Sequence, residues 1–391
     1  MRSLLAAVSL ALVLHSPQVI RPAVAPGPKS RDASAGLRER MRGVLEGHRA
    51  RGGFPGATAA ARLPDGRTLS VAVGLADRES KRPMRTRSRM LAGSVGKTFF
   101  AALALQLVSE GRLRLDDPVK KYLGRAPWFS RLPNGERLTV RMLMTHTSGL
   151  GGYDEKFMRG LVKEPARERS REELVESLLD KKPLAAAGEK FEYSDLNYIL
   201  LALVCEEATG RAAVGEIRRR LLRPLNLRDT TPSDRAVLPG LVPGYAGANN
   251  PFGGDAMMKG GRLVLNPQFE WAGGGYASTA SDLARWMAAF CEGRAFDRRL
   301  LPDVTGSAVD APSIGEGAKY GLGIHVERTP LGTACGHGGF FPGYVSSVFY
   351  YPEHKLAVAV QFNTSDDSLF NASARVVVDD LASALVGRPS K

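Results

Sequence analysis

Hydrophobic positions change period along the chain, and the changes mark the elements. From Ala35 to Gly52 apolar residues recur at Leu37, Met41, Val44 and Leu45, the spacing of an amphipathic helix. Two short apolar runs, Ala57–Leu63 and Arg67–Val73, flank Pro64-Asp65-Gly66 and predict a hairpin. Thr98–Val108 is apolar and alanine-rich between Gly96 and Gly111, which predicts a buried helix. The middle of the chain is different, with helical patterns at Val140–Met144, Arg171–Leu179 and Asp195–Ala208 joined by Pro- and Gly-rich loops. A further helix is predicted over Asp282–Phe290, capped by Ser278 or Ser281. Strand patterns return at Tyr320–Val326, Thr333–His337, Tyr344–Tyr351 and Leu356–Phe362, with turns at Gly339–Gly343 and Pro352-Glu353-His354. An amphipathic helix over Leu369–Val386 follows. Strands at both ends with helices between them predict an α+β part (35–115 and 271–386) and an inserted mainly helical part (116–270), with 387–391 as a tail. A cleft between the two parts is the default place for a site.

Composition narrows the class. The 391 residues are 43% hydrophobic and 24% charged, enough apolar material for a core and against a disordered chain. Three cysteines are too few for a disulfide scaffold, and a Cys205–Cys291 bridge stays open without geometry. The formal net charge is +14, which favours anionic surfaces such as a cell envelope. Its clusters, Lys81 to Arg89 and Arg218 to Arg223, lack interleaved aromatic residues, so nucleic acid is not an expected partner. Leu4–Leu14 is an uncharged apolar run behind Arg2, and Ala23-Val24-Ala25 has the small-x-small form of a cleavage site. Residues 1–25 therefore read as a secretory signal and 26–34 as a linker, although Pro26 beside the cleavage site obstructs the peptidase. The expected location is periplasmic or secreted, or held by an uncleaved signal. The oligomeric state is left open.

Three constellations carry candidate chemistry. Ser94-Val95-Gly96-Lys97 is the only Ser-x-x-Lys in the chain. Residues three apart at a helix start share a face, so Lys97 reaches Ser94, and the helix N-terminus favours the neutral amine that a base needs. A serine cap with a surface lysine is the bland alternative. Tyr193-Ser194-Asp195 precedes a helix, with Ser194 or Asp195 as its cap; the tyrosine is either packing or a proton shuttle. His337-Gly338-Gly339 ends a strand, and its glycines let a substrate approach the backbone.

In this order, the three resemble the motifs of serine hydrolases related to class C β-lactamases and D-Ala-D-Ala carboxypeptidases: S-x-x-K, Y-x-N and K-T-G or H-x-G. Supporting stretches include Leu143-Met144-Thr145-His146-Thr147-Ser148-Gly149-Leu150 and Gly273-Gly274-Gly275-Tyr276-Ala277-Ser278-Thr279. The resemblance implies a β-lactamase/transpeptidase-like α+β fold and a Ser94 acyl-enzyme. Lys97 would take the serine proton, and Tyr193 would relay it to the leaving group. The backbone N–H groups of Ser94 and Phe340 would form the oxyanion hole. Asp195, His337, Gly338 and Gly339 would bind substrate, while His146 and Ser148 match a structural loop. No metal or organic cofactor is implied.

Two departures shape the expected substrate. Asp195 stands where the family has asparagine, replacing an amide donor by a carboxylate that only accepts, and Asn197 is placed to point elsewhere. His337 replaces the lysine of the β-lactamase third motif and weakens carboxylate recognition. The expected substrates are thus small esters or D-amino-acid peptides, with a weak β-lactamase or penicillin-binding protein as the alternative. An α/β-hydrolase elbow at Ala92–Gly96 with His337 as its base is the enzymatic rival, and a non-catalytic envelope-binding protein the other.

Overall fold

A computed structural model of the chain describes residues 28–387. The signal reading lies outside these residues, and among them no helix is long and apolar enough to cross a membrane. Helix α1 (Pro28–Gly52) starts within the segment read as a linker. Pro28 fits a first helical turn, where no backbone N–H is needed. The remaining helices are α2 (Lys97–Ser109), α3 (Lys120–Leu123), α4 (Val140–Met144), α5 (Glu155–Lys163), α6 (Arg171–Glu176), α7 (Asp195–Thr209), α8 (Ala213–Ile217), α9 (Ala280–Cys291), α10 (Leu301–Gly306) and α11 (Ala374–Val386).

The strands are β1 (Gly56–Arg62), β2 (Thr68–Asp77), β3 (Arg82–Pro83), β4 (Met90–Leu91), β5 (Thr231–Pro232), β6 (Met258–Lys259), β7 (Arg262–Leu263), β8 (Tyr276–Ser278), β9 (Val309–Asp310), β10 (Lys319–Tyr320), β11 (His325–Thr329), β12 (Gly332–Phe341), β13 (Tyr344–Tyr351) and β14 (Leu356–Phe362). Nine of them form one sheet in the order β3-β2-β1-β14-β13-β12-β11-β10-β9. Every pairing in it is antiparallel, and the β1–β14 pair joins the two ends of the chain. One face is covered by α1 and α11 around Met41, Leu45, Phe54, Phe362 and Val378. The other packs on α9, α2 and the helical part. The expected α+β layout holds.

Local departures have physical causes. The strand expected over Tyr320–Val326 is broken at Gly321 and Gly323 into β10 and β11. Helix α9 is capped by Thr279, whose side chain accepts from the Asp282 N–H; Ser278 sits in β8 instead. Helix α11 starts only after its cap, Ser373. Cys291 ends α9 beside Cys335, and all three cysteines are free. Arg219 and Arg220 are drawn into ion pairs with Glu216 and Glu110, so part of the basic cluster is internally compensated.

The departure that matters for function is β12. It does not stop at His337 but runs to Phe341. Its β11 partner ends at the His325–Gly336 pair, while β13 stays paired through Phe341. Beyond Gly336 one side of β12 is therefore free of a strand, and the Gly93–Gly96 turn lies there. A Cβ on Gly339 would stand 1.9 Å from the Ala92 carbonyl oxygen, and one on Gly93 2.5 Å from the Phe340 nitrogen. No side chain fits this contact. The glycines are an edge-contact requirement, not a turn signal.

Candidate active site

Ser94 lies in a short 3-10 turn, Gly93–Gly96, that runs straight into α2. On the far side the turn meets the glycine run 273–275: a Cβ on Gly96 would fall 1.7 Å from the Gly274 oxygen. Helix α2 is buried from Lys97 to Leu105; a helix apolar all round is a core helix, and its first turn carries Lys97 inside with it. Lys97 has no exposed surface.

The Lys97 ammonium has every hydrogen bond it can make. It donates to Ser94 Oγ at 2.9 Å, to Asp195 Oδ1 at 2.5 Å and to the Gly273 carbonyl. Its nitrogen also lies 5.1 Å from the centre of the Tyr193 ring, and Tyr193 is close enough to Ser94 and Lys97 for both to pull its pKa down. Burial alone would favour the neutral amine, but the Asp195 carboxylate and Tyr193 outweigh it and raise the Lys97 pKa. Partial removal from water likewise raises Tyr193, against the pull of Lys97, although 36% of the residue stays exposed. This corrects the expectation of a neutral lysine. At rest the amine is an ammonium, and the helix N-terminus is too weak a field to reverse that.

Asp195 is not merely a cap. Ser194 is the cap of α7, accepting from the Leu196 N–H, which frees the Asp195 carboxylate to reach Lys97 while 41% of its side chain stays exposed. Asn197 does point elsewhere: it is buried, accepts from Ser148 Oγ at 2.6 Å and meets His146 Nδ1 at 3.0 Å.

His337 departs from its expected role of touching substrate. It is 1% exposed. Its Nδ1–H donates to the Gly338 carbonyl at 2.5 Å, and its Nε2 accepts from the Tyr320 hydroxyl at 3.0 Å, a tautomer fixed by the carbonyl being unable to donate. Burial, then the neighbouring His325 and Lys97, push its pKa well below the usual value. Enclosed, and with both ring nitrogens spent on these bonds, the imidazole has no surface to offer a substrate carboxylate. Having no contact with Ser94, it also removes the histidine-triad rival. Gly338, Gly339 and the Phe340 backbone line the free side of β12 above Ser94, and the Phe340 side chain is 60% exposed.

Sequence reasoning missed Glu270. It is half-buried, and its Oε2 accepts from the Gly275 N–H at 3.4 Å. Burial, and then the charge of Asp195, push its carboxyl up to about 8. The neighbouring Trp271 adopts φ 35, ψ −105, a backbone region that bulky residues avoid, in the segment that delivers the Gly273 carbonyl to Lys97. Only proximity to the glycine run signalled this segment. Among the described residues no His, Cys, Asp and Glu group has the arrangement of a metal site.

A family model described as Beta-lactamase matches residues 41–382. The chain belongs to the beta-lactamase family. It is 26% identical over 336 residues to a D-aminopeptidase of Brucella anthropi, a match covering 85% of this chain and 59% of that protein. It is 35% identical over 168 residues to Esterase EstB of Burkholderia gladioli, covering 40% of this chain and 42% of the relative. The chain thus matches about half the length of these curated relatives. Among solved structures, a D-stereospecific amidohydrolase from a Streptomyces species superposes with TM-score 0.73 at 27% identity, covering 89% of this chain and 98% of that one. The fold is β-lactamase/transpeptidase-like, and the protein is a serine hydrolase.

Proposed function

We propose that this hydrolase forms an acyl-enzyme on Ser94 and acts on small esters and on D-aminoacyl compounds with a free ammonium. The observation that carries the reading is Lys97 Nζ, 2.9 Å from Ser94 Oγ, with the Tyr193 ring centre 5.1 Å from the same nitrogen. Both proton-transfer groups are protonated at rest, so acylation draws on the minor form in which the Lys97–Tyr193 pair has lost one proton. The pair titrates as a unit. In that form the pair takes the Ser94 proton as Oγ bonds to the acyl carbon. The N–H groups of Ser94 and Phe340 receive the oxyanion, a contribution of about 3–4 kcal/mol where such donors have been removed. As the bond to the leaving group breaks, Tyr193 returns the proton to it. Water then repeats the sequence in reverse.

The substrate class follows from the charge balance. The Asp195 carboxylate beside Lys97 is 41% exposed and open to a substrate, while Glu270, raised to about 8, adds no second charge at neutral pH. An amide carbonyl directed at Asp195 meets an acceptor, and mispaired polar groups cost about 1–3 kcal/mol; an ammonium there meets a partner. Relatives named D-aminopeptidase and D-stereospecific amidohydrolase support this reading. The proposed location remains exported, on the strength of Leu4–Leu14.

A panel of D-alanine p-nitroanilide, its N-acetyl derivative, p-nitrophenyl acetate and nitrocefin tests the proposal. The free-amine anilide is expected to exceed its N-acetyl form in kcat/KM, and the ester to exceed nitrocefin. Fastest turnover of nitrocefin would support the alternative of a β-lactamase or penicillin-binding protein. Indifference to N-acetylation would remove the ammonium from the account.

A further inference from the structure

We infer that His146, as a neutral Nε2–H imidazole, is the positioning residue for Tyr193, gripping the backbone on both sides of that tyrosine and stacking on its ring. The inference rests on the proton-transfer role proposed for Tyr193. His146 follows α4 in the Thr145–Leu150 loop, is fully buried and holds φ 56, a left-handed conformation that non-glycine residues keep only when their surroundings enforce it.

The surroundings are the Tyr193 segment. The His146 carbonyl accepts from the Glu192 N–H at 2.8 Å. Its Nδ1 accepts from the Ser194 N–H at 3.2 Å. The residues immediately before and after Tyr193 are thus both fastened to one histidine. Between these two bonds, the imidazole lies 4.3 Å from the Tyr193 ring at an interplanar angle of 30°. Tyr320 closes the other side, edge-on at 4.8 Å.

The tautomer follows from the donors. A backbone N–H only donates, so Nδ1 carries no proton. Asn197 Oδ1 accepts from Ser148 Oγ, which turns its amide NH2 toward the same Nδ1 at 3.0 Å. The proton therefore sits on Nε2, which is buried and has no hydrogen-bond partner among the described residues. The titratable groups around the ring are Tyr193, Tyr198 and Tyr320, with Lys97, His325 and His337 beyond. Burial and the charges of Lys97 and His325 both oppose a second proton. A charged ring would lose its acceptor for Ser194 and release the segment.

The test is a double-mutant cycle. His146→Gln keeps an oxygen acceptor without a ring; His146→Phe keeps a ring without an acceptor. Each is expected to lower kcat/KM for p-nitrophenyl acetate about 10- to 100-fold, the scale of a misplaced catalytic group. In the Tyr193→Phe background the same changes are expected to lower it less than about two-fold, because the hydroxyl they position is gone. Equal losses in both backgrounds, or none in the wild type, would overturn the inference. Should neither variant fold, imidazole 15N spectra of the wild-type protein decide. A neutral Nε2–H ring from about pH 5 to 9 is expected, and an Nδ1–H tautomer or a titrating ring overturns it. Tyr193→Phe without loss of activity would instead remove the parent reading, a separate outcome.

Discussion

Replacing Asp195 with asparagine isolates the charge that holds Lys97 protonated. The substitution keeps the side chain's shape and an oxygen for Lys97 Nζ, now 2.5 Å from Oδ1, but removes the negative charge. An opposite charge this close typically shifts a pKa by about 1–3 units, each worth about 1.4 kcal/mol. The Asp195 side chain is 41% exposed, so solvent screens part of its field and the lower range, about 1–2 units, is expected. The sign is fixed: the ammonium is favoured less, so the proton-accepting form appears at lower pH. The assay is kcat/KM for p-nitrophenyl acetate from about pH 5 to 10, corrected for spontaneous hydrolysis, with the inactivation rate by a fluorophosphonate as a measure of acylation alone. The acid limb of both profiles is expected about 1–2 units lower in Asp195→Asn. A limb that stays in place, or moves to higher pH, would refute the claim that Asp195 sets the protonation of Lys97.

Glu270 gives a stability prediction. Its carboxyl is raised to about 8 from the ordinary value of 4.5, so the folded state binds the proton more tightly than the unfolded chain. Stability must then fall as pH rises from about 4.5 to 8 and level off above; in thermal melts Glu270→Gln is expected to flatten that decline, and an unchanged slope would count against a raised Glu270 carboxyl. Lys97→Ala is expected to slow acylation at least about 100-fold and His337→Ala to slow it less, since His337 is enclosed and does not touch Ser94. The reverse ranking in single-turnover kinetics would favour a histidine base.

The chemistry of the first motif was legible because it is local. Ser94 and Lys97 are one helical turn apart, and any helix starting there brings them together. Tyr193 was legible by its place in a motif, since nothing in its own sequence neighbourhood points it at Ser94. What was hidden depends on contacts made at long range. The charge state of Lys97 was misread because it is set by Asp195 and Tyr193, which lie about a hundred residues along the chain and meet it only in the fold. Glu270 was invisible for the same reason. His337 was misplaced because the strand was read as ending there, with a turn from Gly339; β12 runs on to Phe341, and the imidazole is turned inward toward Tyr320. The sheet was largely readable from its short strand-like runs at β1, β13 and β14, which are buried almost throughout. The split between β10 and β11 was not, as Gly321 and Gly323 interrupt an otherwise strand-like run.

Covalent labelling of the wild-type protein with a fluorophosphonate, read by intact mass and tryptic mass spectrometry, tests the Ser94 acyl-enzyme most directly. One adduct per chain on Ser94 is predicted, absent in Ser94→Ala. An adduct on Ser148 or Ser278, or none on a protein that hydrolyses the ester, would contradict it.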